Sequence, residues 1–328
     1  MKILFTCVGR RVELIQAFRS AAELLKIDLK IIGTDISTLA PALFFCDEQC
    51  VVPMVNSESY LPSLFAICQK EGIDCLIPTI DTDLLLLAEN KIRFEQLGTK
   101  VLISSPEKIK ISRNKNLTAD YFISLGLKSP KAVDSIAEYH AAFPAFIKPK
   151  DGSSSINAYK VRTPQELQFW GNKLQNYIIQ PFISGKEFTI DAFCDYIGNP
   201  VLITPRERIA VRSGEVLKTK IHQDDIIIKE MQTLLQDFRP SGPITVQLIR
   251  DELSGDNYYI EINPRFGGGA PLSMRAGADS AKAVLQMLNG KALSYIPYAA
   301  RDREIYCRFD QSICVETGIA RDKNKIYS

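Results

Sequence analysis

Residues 258–269 read Tyr-Tyr-Ile-Glu-Ile-Asn-Pro-Arg-Phe-Gly-Gly-Gly. Glu261 and Asn263 stand two apart in a short apolar run, and residues two apart in a strand project from one face. A carboxylate and an amide oxygen therefore leave the same pleat together. Pro264 ends the strand, Arg265 follows at once, and a glycine-rich loop opens. Two oxygen ligands and a guanidinium in that position suit a magnesium ion carrying phosphates.

The segment upstream extends the pattern. Residues 244–249, Ile-Thr-Val-Gln-Leu-Ile, form a β-prone run with one amide, and residues 251–257 are rich in turn formers. Together they predict an antiparallel hairpin. Symmetry about Ser254 would set Gln247 opposite Glu261, with Cβ atoms about 5 Å apart. Gln247, Glu261 and Asn263 then offer three oxygen ligands on one surface. The plainer alternative is a hairpin with a solvated outer face.

Gln247, Glu261, Asn263 and Arg265 in this order resemble the ATP-grasp enzymes, above all the ATP-grasp halves of the carbamoyl-phosphate synthase large subunit. The likeness runs through separated motifs over most of the chain. It implies an α/β and α+β protein: an N-terminal doubly wound parallel sheet (the pre-ATP-grasp domain) followed by a two-lobed ATP-grasp fold. The expected divisions are 1–104 for a Rossmann-like pre-ATP-grasp domain and 105–195 for the small lobe or lid, with a linker helix at 105–126. Residues 196–328 are expected to form the large lobe with the metal site and a C-terminal extension.

Hydrophobic patterning gives the first of these regions independently. Strands at 2–8, 29–34, 74–78 and 100–103 alternate with helices at 12–26, 60–71 and 82–97, which implies a parallel doubly wound sheet. Ligands of such sheets bind beyond the carboxyl ends of the strands. Gly9-Arg10-Arg11, Asp35 and the acidic pair Asp81 and Asp83 all belong at that edge. One glycine is not a dinucleotide fingerprint. The arginine pair suits an anion or a solvated helix start, and Asp81 and Asp83 suit a substrate role or helix capping.

Three further segments bear on a nucleotide. Phe146-Ile-Lys-Pro-Lys-Asp-Gly-Ser-Ser-Ser155 ends an apolar strand with Lys148, a point charge for phosphate oxygens. The backbone of Gly152, Ser153, Ser154 and Ser155 can close over those phosphates. This motif resembles the family's strand lysine and phosphate-covering loop. Asn114-Lys-Asn-Leu-Thr118 resembles the family's Asp-Lys-x-x-Thr, with Asn114 in place of the aspartate and Lys115 kept for the phosphates. Residues 178–191 resemble the adenine-binding segment. There the likeness implies that Gln180 stands where glutamate is common and that Phe182 and Ile183 offer main-chain groups to adenine. Glu187 would accept the ribose hydroxyls. Arg212, in the basic stretch 205–215, is a third catalytic candidate beside Lys148 and Arg265; a solvated strand face is its alternative.

Composition excludes several classes. The chain has 328 residues, 46% hydrophobic and 24% charged, with a net charge of +2. That balance argues against nucleic acid as a partner, and no apolar run is long enough to cross a membrane. Eight cysteines form no Cys-x-x-Cys pair and only two histidines are present, which argues against zinc. Reduced thiols and no export signal suggest a cytoplasmic protein.

The resemblance implies ATP and Mg2+ (or Mn2+) as cofactors and small-molecule carboxylate and amine substrates, and it leaves a homodimer open. The implied reaction is ATP-dependent ligation. A carboxylate is activated as an acyl-phosphate, and an amine or similar nucleophile then displaces phosphate. The alternatives are a carbamoyl-phosphate-synthase-like or carboxylase activity on bicarbonate, and a non-catalytic ATP-binding module.

Overall fold

In the computed structural model, residues 1–150 and 157–315 are described. The chain divides into two compact units, Met1–Val101 with the segment from Phe309, and Leu102–Arg308.

Unit one is built from short buried strands and amphipathic helices in alternation. They are β1 (Lys2–Thr6), α1 (Val12–Leu25), β2 (Lys30–Asp35), β3 (Glu48–Val51), α2 (Tyr60–Glu71), β4 (Cys75–Pro78), α3 (Leu84–Glu89), α4 (Lys91–Gln96) and β5 (Lys100–Val101). The parallel sheet has the order β3-β2-β1-β4-β5. Its strand order reverses beside β1, so the crevice lies at the carboxyl ends of β1 and β4.

Two departures from the sequence expectation have local causes. The helix expected at 82–97 breaks at Asn90, which leaves helical geometry while its side-chain amide donates to the Leu86 carbonyl at 2.9 Å. β3 is an edge strand with alternate residues exposed, and its sequence Glu-Gln-Cys-Val has no apolar period to announce it.

The crevice edge is also occupied differently. Asp35 accepts the Gly9 N–H at 2.8 Å, and Gly9 adopts φ +46. Asp83 stands at the start of α3 but its side chain caps nothing. The buried carboxylate instead accepts Thr6 Oγ1 at 2.6 Å and the Tyr60 hydroxyl at 3.0 Å. Burial pushes its pKa up to about 6, against those hydrogen bonds.

Unit two starts with α5 (Pro106–Arg113) and α6 (Lys115–Ser124). A three-stranded sheet follows, ordered β7-β6-β8, from β6 (Ala145–Pro149), β7 (Tyr159–Val161) and β8 (Tyr177–Pro181), with α7 (Pro164–Lys173) packed on it. The alternation in Ala-Phe-Ile-Lys sorts its faces. Ala145 and Ile147 join Val161, Leu167 and Ile179 in a small core, so Phe146 and Lys148 project from the opposite face.

The larger sheet contains β9 (Gly185–Cys194), β10 (Pro200–Arg212), β11 (Glu215–Ile221), β12 (Gly242–Asp251), β13 (Asn257–Asn263) and β14 (Ile305–Cys307). Its order is β13-β12-β9-β10-β11-β14. β9, expected from sequence in the small lobe, is hydrogen-bonded into this sheet between β12 and β10. Three helices accompany the strands: α8 (Asp225–Phe238), α9 (Ala270–Arg275) and α10 (Ser280–Leu288).

One face of the large sheet is apolar. Phe188, Ile190, Ala192, Ile203, Ile244, Val246, Leu248 and Ile262 pack with Ile227, Met231, Leu234, Leu235 and Phe238 of α8 and Phe122 of α6. Because side chains alternate along a strand, every intervening residue is turned to the other face. Among the described residues, no helix is long and apolar enough to cross a membrane.

Candidate active site

The second face of the large sheet is polar, and strand register lays it out in rows. Asn263, Thr245, Asp191 and Thr204 stand side by side across β13, β12, β9 and β10. The next row holds Glu261, Gln247, Thr189 and Arg206. Glu187 and Arg208 come one step further, joined at 3.1 Å. Thr189, Asp191, Thr204, Arg206 and Thr245 are buried, although polar groups without a purpose are costly to bury.

The Gln247–Glu261 pair forms as expected, but the hairpin is not symmetric. Positions 245–247 pair with 263–261, whereas Leu248, Ile249 and Arg250 pair with Tyr259, Tyr258 and Asn257. Ile260 is the additional residue of a β-bulge. A slip of one residue exchanges the two faces of a strand. Continued from the turn without the bulge, the register would set Ile260 opposite Gln247 and turn Glu261 and Asn263 into the α8 core. The bulge thus delivers the carboxylate and the amide to the polar face.

Within this cluster the Asn263 side-chain amide donates to Glu261 Oε1 at 2.7 Å, and Arg265 Nη2 donates to Asn263 Oδ1 at 3.4 Å. Arg265 Nη1 also reaches the Phe266 carbonyl at 3.2 Å. Among the described residues no three His, Cys, Asp or Glu side chains gather to hold a metal. Gln247, Glu261 and Asn263 supply one carboxylate and two amide oxygens, which fits a magnesium ion whose remaining ligands are phosphate oxygens and water. Mixed donors of this kind do not form a cage that would hold the ion alone.

The small sheet and α6 contribute one cation each. Burial, the nearby Lys115 charge and, in the opposite sense, Glu261 bring the Lys148 ammonium down to about 8. Both lysines and Glu261 therefore share one electrostatic environment. Lys115 is the first residue of α6, and its ammonium donates to the Lys150 carbonyl at 2.6 Å. Asn114, at the position where the family pattern has aspartate, caps that helix by accepting the N–H groups of Asn116 and Leu117.

Gln180 is buried on β8, opposite Phe146. The Phe182 N–H is committed to the Pro144 carbonyl at 3.0 Å, so this N–H is spent within the protein. Ser184 ties the end of the segment to the hairpin turn: its carbonyl accepts Glu252 N–H at 2.9 Å, and its hydroxyl donates to Glu252 Oε1 at 2.5 Å. Burial raises the pKa of Glu187, with Arg208 opposing and Glu261 reinforcing the rise.

Two expectations need adjustment. Arg212 is exposed at the β10–β11 turn, paired across the ladder with Glu215. The arginines that β10 turns toward the polar face are Arg206 and Arg208; irregular register after Arg208 breaks the alternation before Arg212 is reached. Gly152, Ser153, Ser154 and Ser155 lie outside the described residues. Sequence reasoning gave no role to Thr189, Asp191, Thr204 and Thr245, and within the basic stretch 205–215 it favoured Arg212 over Arg206 and Arg208. Except for Arg208, their signal was present in the polar–apolar alternation of Phe188–Ala192, Ile203–Arg206 and Ile244–Leu248.

The chain is similar to several known proteins. Residues 3–102 match the model of the PylC-like N-terminal domain. The chain is 26% identical over 185 residues to D-alanine–D-alanine ligase of Francisella tularensis subsp. holarctica, covering 52% of this chain and 62% of that ligase. Against the carbamoyl phosphate synthase large chain of Thermoanaerobacter it is 25% identical over 223 residues, 61% of this chain and 21% of that one. Among solved structures, the biotin carboxylase domain of Hydrogenobacter thermophilus 2-oxoglutarate carboxylase, in complex with MgADP, ADP and bicarbonate, superposes with TM-score 0.74. Identity there is 18%, with 94% of this chain and 74% of that one covered. The L-amino acid ligase of Bacillus licheniformis gives TM-score 0.69 at 19% identity, with 88% and 74% covered. Residues 112–269, which span Lys115, Lys148, residues 178–191 and the hairpin, match the ATP-grasp domain model, and the chain is an ATP-grasp protein with a PylC-like N-terminal domain.

Proposed function

We propose that this protein is an ATP-dependent carboxylate–amine ligase. The observation that carries the reading is the half-buried Lys148 on the outward face of β6, with Lys115 bonded to the Lys150 carbonyl at the end of the same strand and the Lys148 ammonium lowered to about 8 by desolvation and by the Lys115 charge. Two cations held near each other on a half-buried surface repel each other and lose part of their hydration. A polyphosphate relieves both costs. The chain spans 62% of the curated ligase it matches first, so activity and substrates are inferred from the site.

Lys148 and Lys115 would bind the phosphates of ATP. Gln247, Glu261 and Asn263 would hold magnesium, which when bound neutralises charge on the phosphates. Gln180 and the Ile183 N–H would face adenine, and Glu187, braced by Arg208, would accept the ribose hydroxyls. A substrate carboxylate attacks the γ-phosphorus, ADP leaves, and an amine displaces phosphate from the acyl-phosphate. Arg265 steadies the transferred phosphoryl group. Positioning and charge stabilisation dominate such transfers.

Bicarbonate as the acid is the second reading, favoured by the likeness to a biotin carboxylase domain bound to bicarbonate. A phosphate-release screen over paired acids and amines separates the two. The ligase releases phosphate from MgATP only with both an organic acid and an amine. A bicarbonate enzyme needs no organic acid, and a binding module releases none with any pair.

A further inference from the structure

We infer that Arg206 and Asp191 act as a positioning pair for Arg265, by clamping the glycine loop that carries it onto the polar sheet face. This rests on the proposed function and assigns a role to residues which that reading leaves unused. Arg206 is 2% exposed. Its Nε donates to Asp191 Oδ2 at 2.7 Å and its Nη2 to Asp191 Oδ1 at 3.4 Å. Arg206 shares a row with Glu261 but stands three strands away, about 14 Å at ordinary strand spacing. That distance excludes it from the metal shell.

The loop after β13 rests on this pair. A Cβ on Gly269 would lie 2.6 Å from Arg206 Nη2 and 2.8 Å from its Cζ, so the guanidinium plane lies directly beneath that backbone. On Gly267 a Cβ would lie 2.8 Å from Thr245 Oγ1 and 3.5 Å from Asp191 Oδ1. The Thr245 hydroxyl donates to the Arg265 carbonyl at 3.3 Å, and the Ser273 hydroxyl on α9 donates to Asp191 Oδ2 at 2.7 Å. Both ends of the segment 265–273 are therefore fastened to the Asp191 row. The absence of side chains at Gly267 and Gly269 permits the close approach.

Stability alone is a poor reason for this arrangement. Buried ion pairs are often no better than apolar replacements, and Arg206 Nη1 is buried without an acceptor among the described residues. A flat guanidinium, held by two bonds to one carboxylate, does fix the height of the loop above the sheet. Arg265 is thereby aimed toward Asn263 and the end of the phosphate chain.

The test compares Arg206→Met, Arg206→Lys and Ser273→Ala with the unaltered full-length protein. Affinities are measured by calorimetry for magnesium with ADP and with the non-hydrolysable ATP analogue adenylyl imidodiphosphate, singly and combined with Arg265→Ala. A clamp acting through Arg265 predicts about a tenfold loss for the analogue with Arg206→Met and little change for ADP. It also predicts no further loss once Arg265 is alanine. Arg206→Lys restores charge without the plane and should behave like Arg206→Met, and Ser273→Ala should show a smaller loss in the same direction. Equal losses for both nucleotides, or a persistent Arg206→Met effect in the Arg265→Ala background, overturns the inference. Should Arg206→Met not fold, Ser273→Ala in the two backgrounds decides the same question. Failure of the unaltered protein to bind either nucleotide would instead overturn the proposed function.

Discussion

Replacing Lys148 by methionine should make the protein more stable while disabling it. An ordinary lysine has a pKa of 10.5, and Lys148 lies at about 8. Each tenfold change in proton affinity is worth about 1.4 kcal/mol, so holding this ammonium in place costs about 3 kcal/mol at pH 7. The sign follows from linkage: between pH 8 and 10.5 the unfolded chain binds the proton and the folded chain does not, so stability rises with pH across that window. Lys148→Met removes the cost below pH 8 and loses its advantage above it. Urea denaturation of the two proteins without nucleotide should give a difference of about 3 kcal/mol at pH 7 and under about 1 kcal/mol at pH 10. In parallel, unaltered protein should bind MgADP with pH-independent affinity below pH 8, then weaken about tenfold for each further unit. Lys148→Met should bind weakly with no such break. A variant no more stable than its parent at pH 7, or an advantage that persists to pH 10, would refute the reasoning.

Other outcomes follow from single contacts. Glu261→Gln keeps the shape and loses the charge, and should cut phosphate release by about a hundredfold or more with an unchanged melting temperature. Asp83, raised to about 6 from 3.8, binds its proton more tightly when folded, so its contribution to stability grows as pH falls from 7 toward 4. Moving from pH 7 to 5 should stabilise the parent by about 1 kcal/mol relative to Asp83→Asn; equal responses in both proteins would remove Asp83 as the source. Gly185→Ala would place a Cβ 1.8 Å from the Arg250 carbonyl oxygen. It should cost about 3 kcal/mol in chemical denaturation, because the β9–β12 ladder must open to admit it.

Much of the local structure was legible because it depends on neighbours in sequence. The parallel alternation of residues 1–101 and the end of β13 at Pro264 follow from periodicity and punctuation. Asn90, β3 and Asp83 were harder. Asn90 breaks a helix through one side-chain bond to Leu86. β3 has no apolar period, and Asp83 takes partners 77 and 23 residues away rather than the nearby helix start.

The site divides along the same line. Residue chemistry alone marked Lys148, Gln247, Glu261, Asn263 and Arg265, since a carboxylate, an amide and cations at strand ends have few structural uses; Lys115 was marked by the likeness of residues 114–118 to the family pattern. Arg212 stood out equally by composition, and only strand irregularity turned it away while keeping Arg206 and Arg208 inward. Which face received Glu261 and Asn263 was settled by the bulge at Ile260, a long-range pairing event between two strands. Side-chain identity is carried by each residue separately. The face it serves belongs to the register of the whole sheet, which no single segment contains.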